Sequence, residues 1–149
     1  MAALHLAPPK GASAVEFAVI LPVLVLILFG LVEFGILLYN KQVLTNASRE
    51  GARAGIVVEV PKKDTTAIKQ IIKNYCNNPG GDGNNNPLLI NFNGLNNTIN
   101  DSNIQITGAQ GVFGTDLGVT ITYTYSFFVL SNLGFNPLEL KATTIMRHE

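Results

Sequence analysis

Residues 11–39 read G-A-S-A-V-E-F-A-V-I-L-P-V-L-V-L-I-L-F-G-L-V-E-F-G-I-L-L-Y, and this stretch decides the architecture. No charge occurs between Glu16 and Glu33, which leaves residues 17–32 as an uncharged run of 16. As a helix that run covers about 24 Å, and residues 12–39 cover about 42 Å, at 1.5 Å per residue. The hydrocarbon core of a bilayer is about 30 Å thick. The rest of the chain is too short to hide so apolar a helix on every side in water. The sequence predicts a single membrane-spanning helix.

A cleaved secretory signal has a basic start, an apolar run of 7–15 residues and a small-residue site after that run. Here the apolar run is longer, and the small residues stand before it, in K-G-A-S-A at 10–14. A cut between Gly11 and Ala12 would remove M-A-A-L-H-L-A-P-P-K-G and leave the apolar helix on the mature chain. Pro8 and Pro9 keep that leader from extending the helix.

The segment K-G-A-S-A-V-E-F resembles a prepilin peptidase site, in which a Gly precedes the cut and a Glu stands fifth in the mature chain. With Ala12 as the first mature residue, Glu16 is the fifth. The segments A-V-E-F-A-V-I-L-P, F-G-L-V-E-F-G and T-N-A-S-R-E-G-A-R-A-G resemble, in that order, the long helix of the TadE-like pseudopilins of the tight-adherence (Flp pilus) system. The resemblance covers residues 11–55 and, more weakly, the ending M-R-H-E; residues 61–118 resemble no named family. It implies a prepilin peptidase, other pilin-like subunits, a pilus assembly platform and the inner membrane as partners. It implies Gly11 and Ala12 as the cleavage site and an assembly role for Glu16; Glu33, near the outer interface, is a further assembly candidate that should matter less for register.

Composition bounds what remains. In 149 residues, about 50 of them in one helix, there is room for one small extramembrane domain with a modest core. The formal charge is zero, and loss of Lys10 with the leader leaves nine basic against ten acidic side chains. Nothing in that balance points to nucleic acid. Cys76 stands alone, so no internal disulfide framework exists. His5 and His148 sit near the two ends, and no cluster has metal-ligand spacing. No catalytic residue, cofactor or metal is expected, and the chain does not read as an enzyme.

Pro22 removes one backbone bond of the helix and predicts a kink or a local loosening. Past Tyr39 the pattern turns amphipathic, with Val43, Leu44, Ala47, Gly51, Ala54 and Gly55 on one broad face. Ala47, Gly51 and Gly55 repeat every four residues and form a groove of small residues. Two glycines cost the helix about 2 kcal/mol against alanine, offset by packing on the chain's own sheet or on a neighbouring subunit. Arg49 and Arg53 are like charges one turn apart, eased by Glu50. A solvated face explains them; an acidic partner in the assembly is the sharper reading.

Pro61 is expected to stop the helix near residue 60, and Asp64 to cap a second one over 65–76. Ile68, Ile71, Ile72, Tyr75 and Cys76 then share a face, which makes Cys76 a core residue. N-N-P-G-G-D-G-N-N-N-P is a loop by composition, without the bidentate Glu of a calcium site. Residues 88–92 and 104–107 read as short strands. Residues 119–127 alternate Val, Ile, Tyr, Tyr and Phe with Thr and Ser, the clearest strand of the chain. Across a long turn, residues 138–146 make its hairpin partner. The fold class is α+β: a leader over 1–11, a long helix over 12–60, and a small extracytoplasmic domain over 61–149 with a second helix and an antiparallel sheet.

Three functions compete. The first is a pilin-like subunit needed to assemble a tight-adherence pilus or related secretion filament, and so for adhesion. The second is an uncleaved single-pass membrane protein with a small extracytoplasmic binding domain, and a membrane-anchored enzyme comes last. Only Lys10 precedes the helix, while Lys41, Arg49 and Arg53 follow it, so the positive-inside count puts the C-terminal domain in the cytoplasm. The resemblance implies the reverse, leader side cytoplasmic and domain outside. Lys41 alone is close to the boundary, and the resemblance is followed.

Overall fold

A computed structural model describes residues 11–57, 61–81, 86–91 and 97–148. The element order is helix α1 (Ala12–Ile56), helix α2 (Thr65–Asn77), strand β1 (Ile104–Thr107), strand β2 (Asp116–Tyr125) and strand β3 (Leu138–Arg147). The strands form one antiparallel sheet in the order β1-β2-β3. The expected α+β class holds. Of the leader, only Gly11 falls within the described residues.

Helix α1 is 45 residues long and runs unbroken through Pro22. Residues 11–29 at its start are all exposed. It is long and apolar enough to cross a membrane. The second half is the floor of the domain. Glu33, Asn40, Val43, Leu44, Ala47, Ser48, Gly51, Ala52 and Gly55 are buried, a stripe that returns every three or four residues. The helix ends at Ile56, with Val57 as its cap, earlier than the expected 60; residues 58–60 lie outside the described residues.

Strand β2 follows period two closely. Leu117, Val119, Ile121, Tyr123 and Tyr125 are buried and face α1, while the residues between them point away. β3 adds Leu140 and Ala142 to the same face, with Ala142 opposite Ile121 and Leu140 opposite Tyr123. α1 and β2 run side by side in opposite directions. Gly55 lies at the Leu117 end and Glu33 at the Tyr125 end, about 33 Å of helix along a ten-residue strand of similar length.

Asp64 caps α2 as expected, its carboxylate accepting from the Ala67 N–H at 2.8 Å. Ile68, Ile72 and Cys76 are buried against α1. Burial pushes the Cys76 thiol up to about 12, so it stays protonated and inert, a core residue as expected.

The strand expected over 88–92 is absent among its described residues. Two asparagine amides hold the nearby coil instead. Asn40 donates to the Ile90 carbonyl at 2.7 Å and accepts from the Ile90 N–H at 2.9 Å. Asn77 does the same for Ile99, at 2.9 and 2.8 Å. Each amide presents one donor and one acceptor, as a neighbouring strand would. The chain thereby buries Leu89 and Ile99 without forming a ladder.

Candidate assembly and membrane-facing site

The cleavage residues expected from the sequence stand at the foot of α1. Gly11 is its N-cap, exposed, and a Cβ built there meets nothing within 4 Å. Ala12 is the first helical residue. Glu16 follows one turn later, exposed, on a part of the helix that carries no contact to the domain.

Glu33 sits differently, although the sequence around it is nearly the same. It is 2% exposed, and its carboxylate faces the connection between β2 and β3. Oε1 accepts from the Phe128 N–H at 2.7 Å and from the Val129 N–H, and Oε2 from the Leu130 N–H at 3.4 Å. Three successive backbone donors converge on one side chain, an anion-holding arrangement at the start of the 3-10 turn Leu130–Leu133. Glu33 was expected near the outer interface as an assembly residue of less weight for register than Glu16; within the chain it is the tether between the long helix and the sheet's connection. Tyr125 ends β2 beside it. Burial pushes the Tyr125 phenol above its ordinary value, with Glu33 and Tyr123 adding in the same direction.

Gly51 and Gly55 also have an internal task. A Cβ at Gly51 would stand 2.5 Å from Ile72 Cγ1, and one at Gly55 2.5 Å from Leu117 Cδ2 and 2.7 Å from Ile68 Cδ1. The groove of small residues thus receives side chains of α2 and β2 of the same chain. Of the two partners weighed for it, the chain's own domain fills it, through α2 as well as the sheet. Ser48 joins the same face to the edge strand, its Oγ 2.7 Å from Thr144 Oγ1. Arg49 and Arg53 point away and are exposed, as a solvated face requires. The structure therefore brings Glu33, Gly51 and Gly55 onto the domain side of α1 and leaves Glu16, Arg49 and Arg53 outside it.

Asn40 and His148 are among the buried polar residues that the sequence does not single out. Asn40, 0% exposed, lies seven residues past Glu33 on the same stripe, and that two-turn spacing was the available signal. His148, 1% exposed, closes the far end of the sheet through Nε2 at 2.9 Å from the Gly108 carbonyl. Its backbone N–H donates to the Thr115 carbonyl, and its carbonyl accepts from the Gly114 N–H. No group of three or more metal-ligating side chains occurs among the described residues.

Fold and site together define, among the described residues, one candidate membrane helix whose second half carries a small α+β domain. Residues 11–53 match the family model described as TadE-like protein. The match ends near Gly55, where the resemblance read from the sequence also ends. No curated protein and no solved structure matches the chain.

Proposed function

We propose that the protein is a pilin-like subunit of a tight-adherence pilus or related filament, made with a short leader that a prepilin peptidase removes after Gly11. In this reading α1 anchors the chain in the bacterial inner membrane, leader side cytoplasmic and domain outside, until assembly. Assembly places it among other pilin-like subunits on the pilus platform and supports adhesion. The observation that carries the reading is the match over residues 11–53, which begins at the cleavage glycine and runs along a helix whose first half is bare. A bare apolar half suits a segment that is first surrounded by lipid and then by neighbouring helices.

The test is the N-terminus of the protein isolated from cells with the complete system. Mass analysis should find Ala12 as the first residue. Gly11→Val should leave a membrane protein about 1 kDa heavier, with the uncut leader, that never enters filaments. Because a Cβ at Gly11 meets nothing, failure of that variant falls on the peptidase and not on the fold. A normally processed Gly11→Val protein, or a native chain that keeps residues 1–11, would overturn the reading and leave an uncleaved single-pass protein.

A further inference from the structure

The β2–β3 connection carries more apolar surface than a loop in water needs. Phe128 is 55% exposed, Leu133 53% and Phe135 56%, and Leu138 at the start of β3 is 44% exposed. Large side chains so closely grouped mark a surface that something covers.

Position identifies what covers it. Glu33 fixes the connection to α1 at residues 128–130. About 20 helical residues fill the hydrocarbon core. With Glu33 at one boundary, the other falls among residues 12–14, and Glu16 lies within a turn of it. This register puts Glu33 at one boundary and Glu16 within one turn of the other, with the uncharged run 17–32 between them. The apolar connection then emerges at the outer boundary, at the level of the exposed Leu31, Val32 and Phe34 that flank Glu33 on α1.

Cations stand above it. Lys41 is about 12 Å further along α1 than Glu33, and its ammonium donates to the backbone carbonyl of Lys141. Lys141 lies three residues beyond Leu138 on β3, about 10 Å. Both lysines are exposed, with Glu139 as the exposed carboxylate beside them. Apolar rings with cations about 10 Å above them match the layering of acyl chains and anionic phosphates.

We propose that the β2–β3 connection is a membrane foot. Phe128, Leu133 and Phe135 rest in the headgroup–acyl boundary of the outer leaflet, with Lys41 and Lys141 at the level of anionic phosphates. The foot holds the domain at a fixed height and tilt on the bilayer. The proposal rests on α1 crossing the membrane and is independent of cleavage and filament assembly.

The chain contains no tryptophan, so single-Trp variants report without background. The full chain is reconstituted in phosphatidylcholine–phosphatidylglycerol vesicles with acyl chains brominated either near the glycerol or near the chain end. Phe135→Trp and Leu133→Trp should be quenched by the shallow bromines. Their quenching by aqueous iodide should be weaker, on the order of fivefold, than that of Phe113→Trp. Phe113, 83% exposed, lies beyond the other end of β2. Leu24→Trp reports the span and should be quenched by the deep bromines. The shallow quenching should decrease in phosphatidylcholine alone, and Lys41→Gln with Lys141→Gln should remove that difference. Foot tryptophans as open to iodide as Phe113→Trp, with Leu24→Trp still quenched, would overturn the foot and leave the span standing. An unquenched Leu24→Trp would overturn both. Protection that appears only at high protein-to-lipid ratio would assign the surface to a second copy of the chain and reject the lipid.

Discussion

Glu16 and Glu33 both stand in the tripeptide V-E-F within one apolar helix, and their neighbours in sequence do not tell their tasks apart. What separates them is distance along the chain. The three backbone donors that receive Glu33 lie 95, 96 and 97 residues away, beyond any local pattern. The same limit hid Asn40, whose partner Ile90 is 50 residues away. By contrast, the Asp64 cap was legible because its partner Ala67 is three residues on. The tether leads to a test at this scale. Glu33→Ala removes the acceptor of three backbone N–H groups and should destabilise the domain by about 1–3 kcal/mol. Glu33→Gln keeps an acceptor oxygen and should cost less. Hydrogen exchange at Phe128, Val129 and Leu130 should rise in that order of variants, Ala above Gln above native. Unchanged exchange at those three amides in Glu33→Ala would remove the tether.

At the scale of the elements, periodicity carried most of the fold. α2, β1, β2 and β3 were legible because a 3.6 or two-residue repeat survives wherever one face is buried against one partner. It failed over 88–91, the described part of the expected strand 88–92, where the Asn40 side chain pairs with Ile90 in place of a neighbouring strand. The groove of small residues was visible, but its partner was not, since a stripe of glycines fits a neighbour as well as its own domain. The geometry now makes the two glycines unequal. In an isolated helix either Gly→Ala would stabilise by about 1 kcal/mol. At Gly51 the new Cβ meets Ile72 Cγ1, an atom next to the branch point of a side chain held stiff within α2. At Gly55 it meets Leu117 Cδ2 and Ile68 Cδ1, the far ends of their side chains. Gly51→Ala should therefore lower the stability of the domain by about 1–3 kcal/mol, and Gly55→Ala by clearly less. Gly30→Ala, where a Cβ meets nothing within 4 Å, is the control and should not change it. Urea titrations of the three variants compare them directly, and equal midpoints for Gly51→Ala and the native chain would show that α1 and α2 do not pack as described.

The whole molecule divides its helix into a half with an internal partner and a half without one. From Glu33 to Gly55 the buried stripe is satisfied by the sheet and α2, whereas residues 11–29 are exposed all round. Glu16 belongs to the second half, so any task beyond solvation must come from outside the monomer. A carboxylate near the end of a membrane helix costs up to about 3 kcal/mol, depending on its depth. Snorkelling to the interface answers that cost without giving the residue a function. In the proposed filament there is a second answer. Cleavage leaves Ala12 with a free amino group, and Glu16 of one subunit pairs with that group on its neighbour. Removed from water, such a pair fixes the axial register between helices, because either charge left alone is strongly unfavourable. The two answers differ in what Glu16→Leu does. Under both, the variant inserts at least as well as the native chain, is still cut after Gly11, and keeps the native stability of the domain. Under pairing alone it fails to enter filaments or to support their assembly, since no other carboxylate lies within the first turns of the helix. Glu33→Gln does not serve as a substitute, because its loss acts on the tether first. Electron micrographs and sheared-surface fractions of cells carrying Glu16→Leu decide it: absent filaments with a normally processed, normally folded subunit support the pair, and filaments in native number leave Glu16 a snorkelling residue.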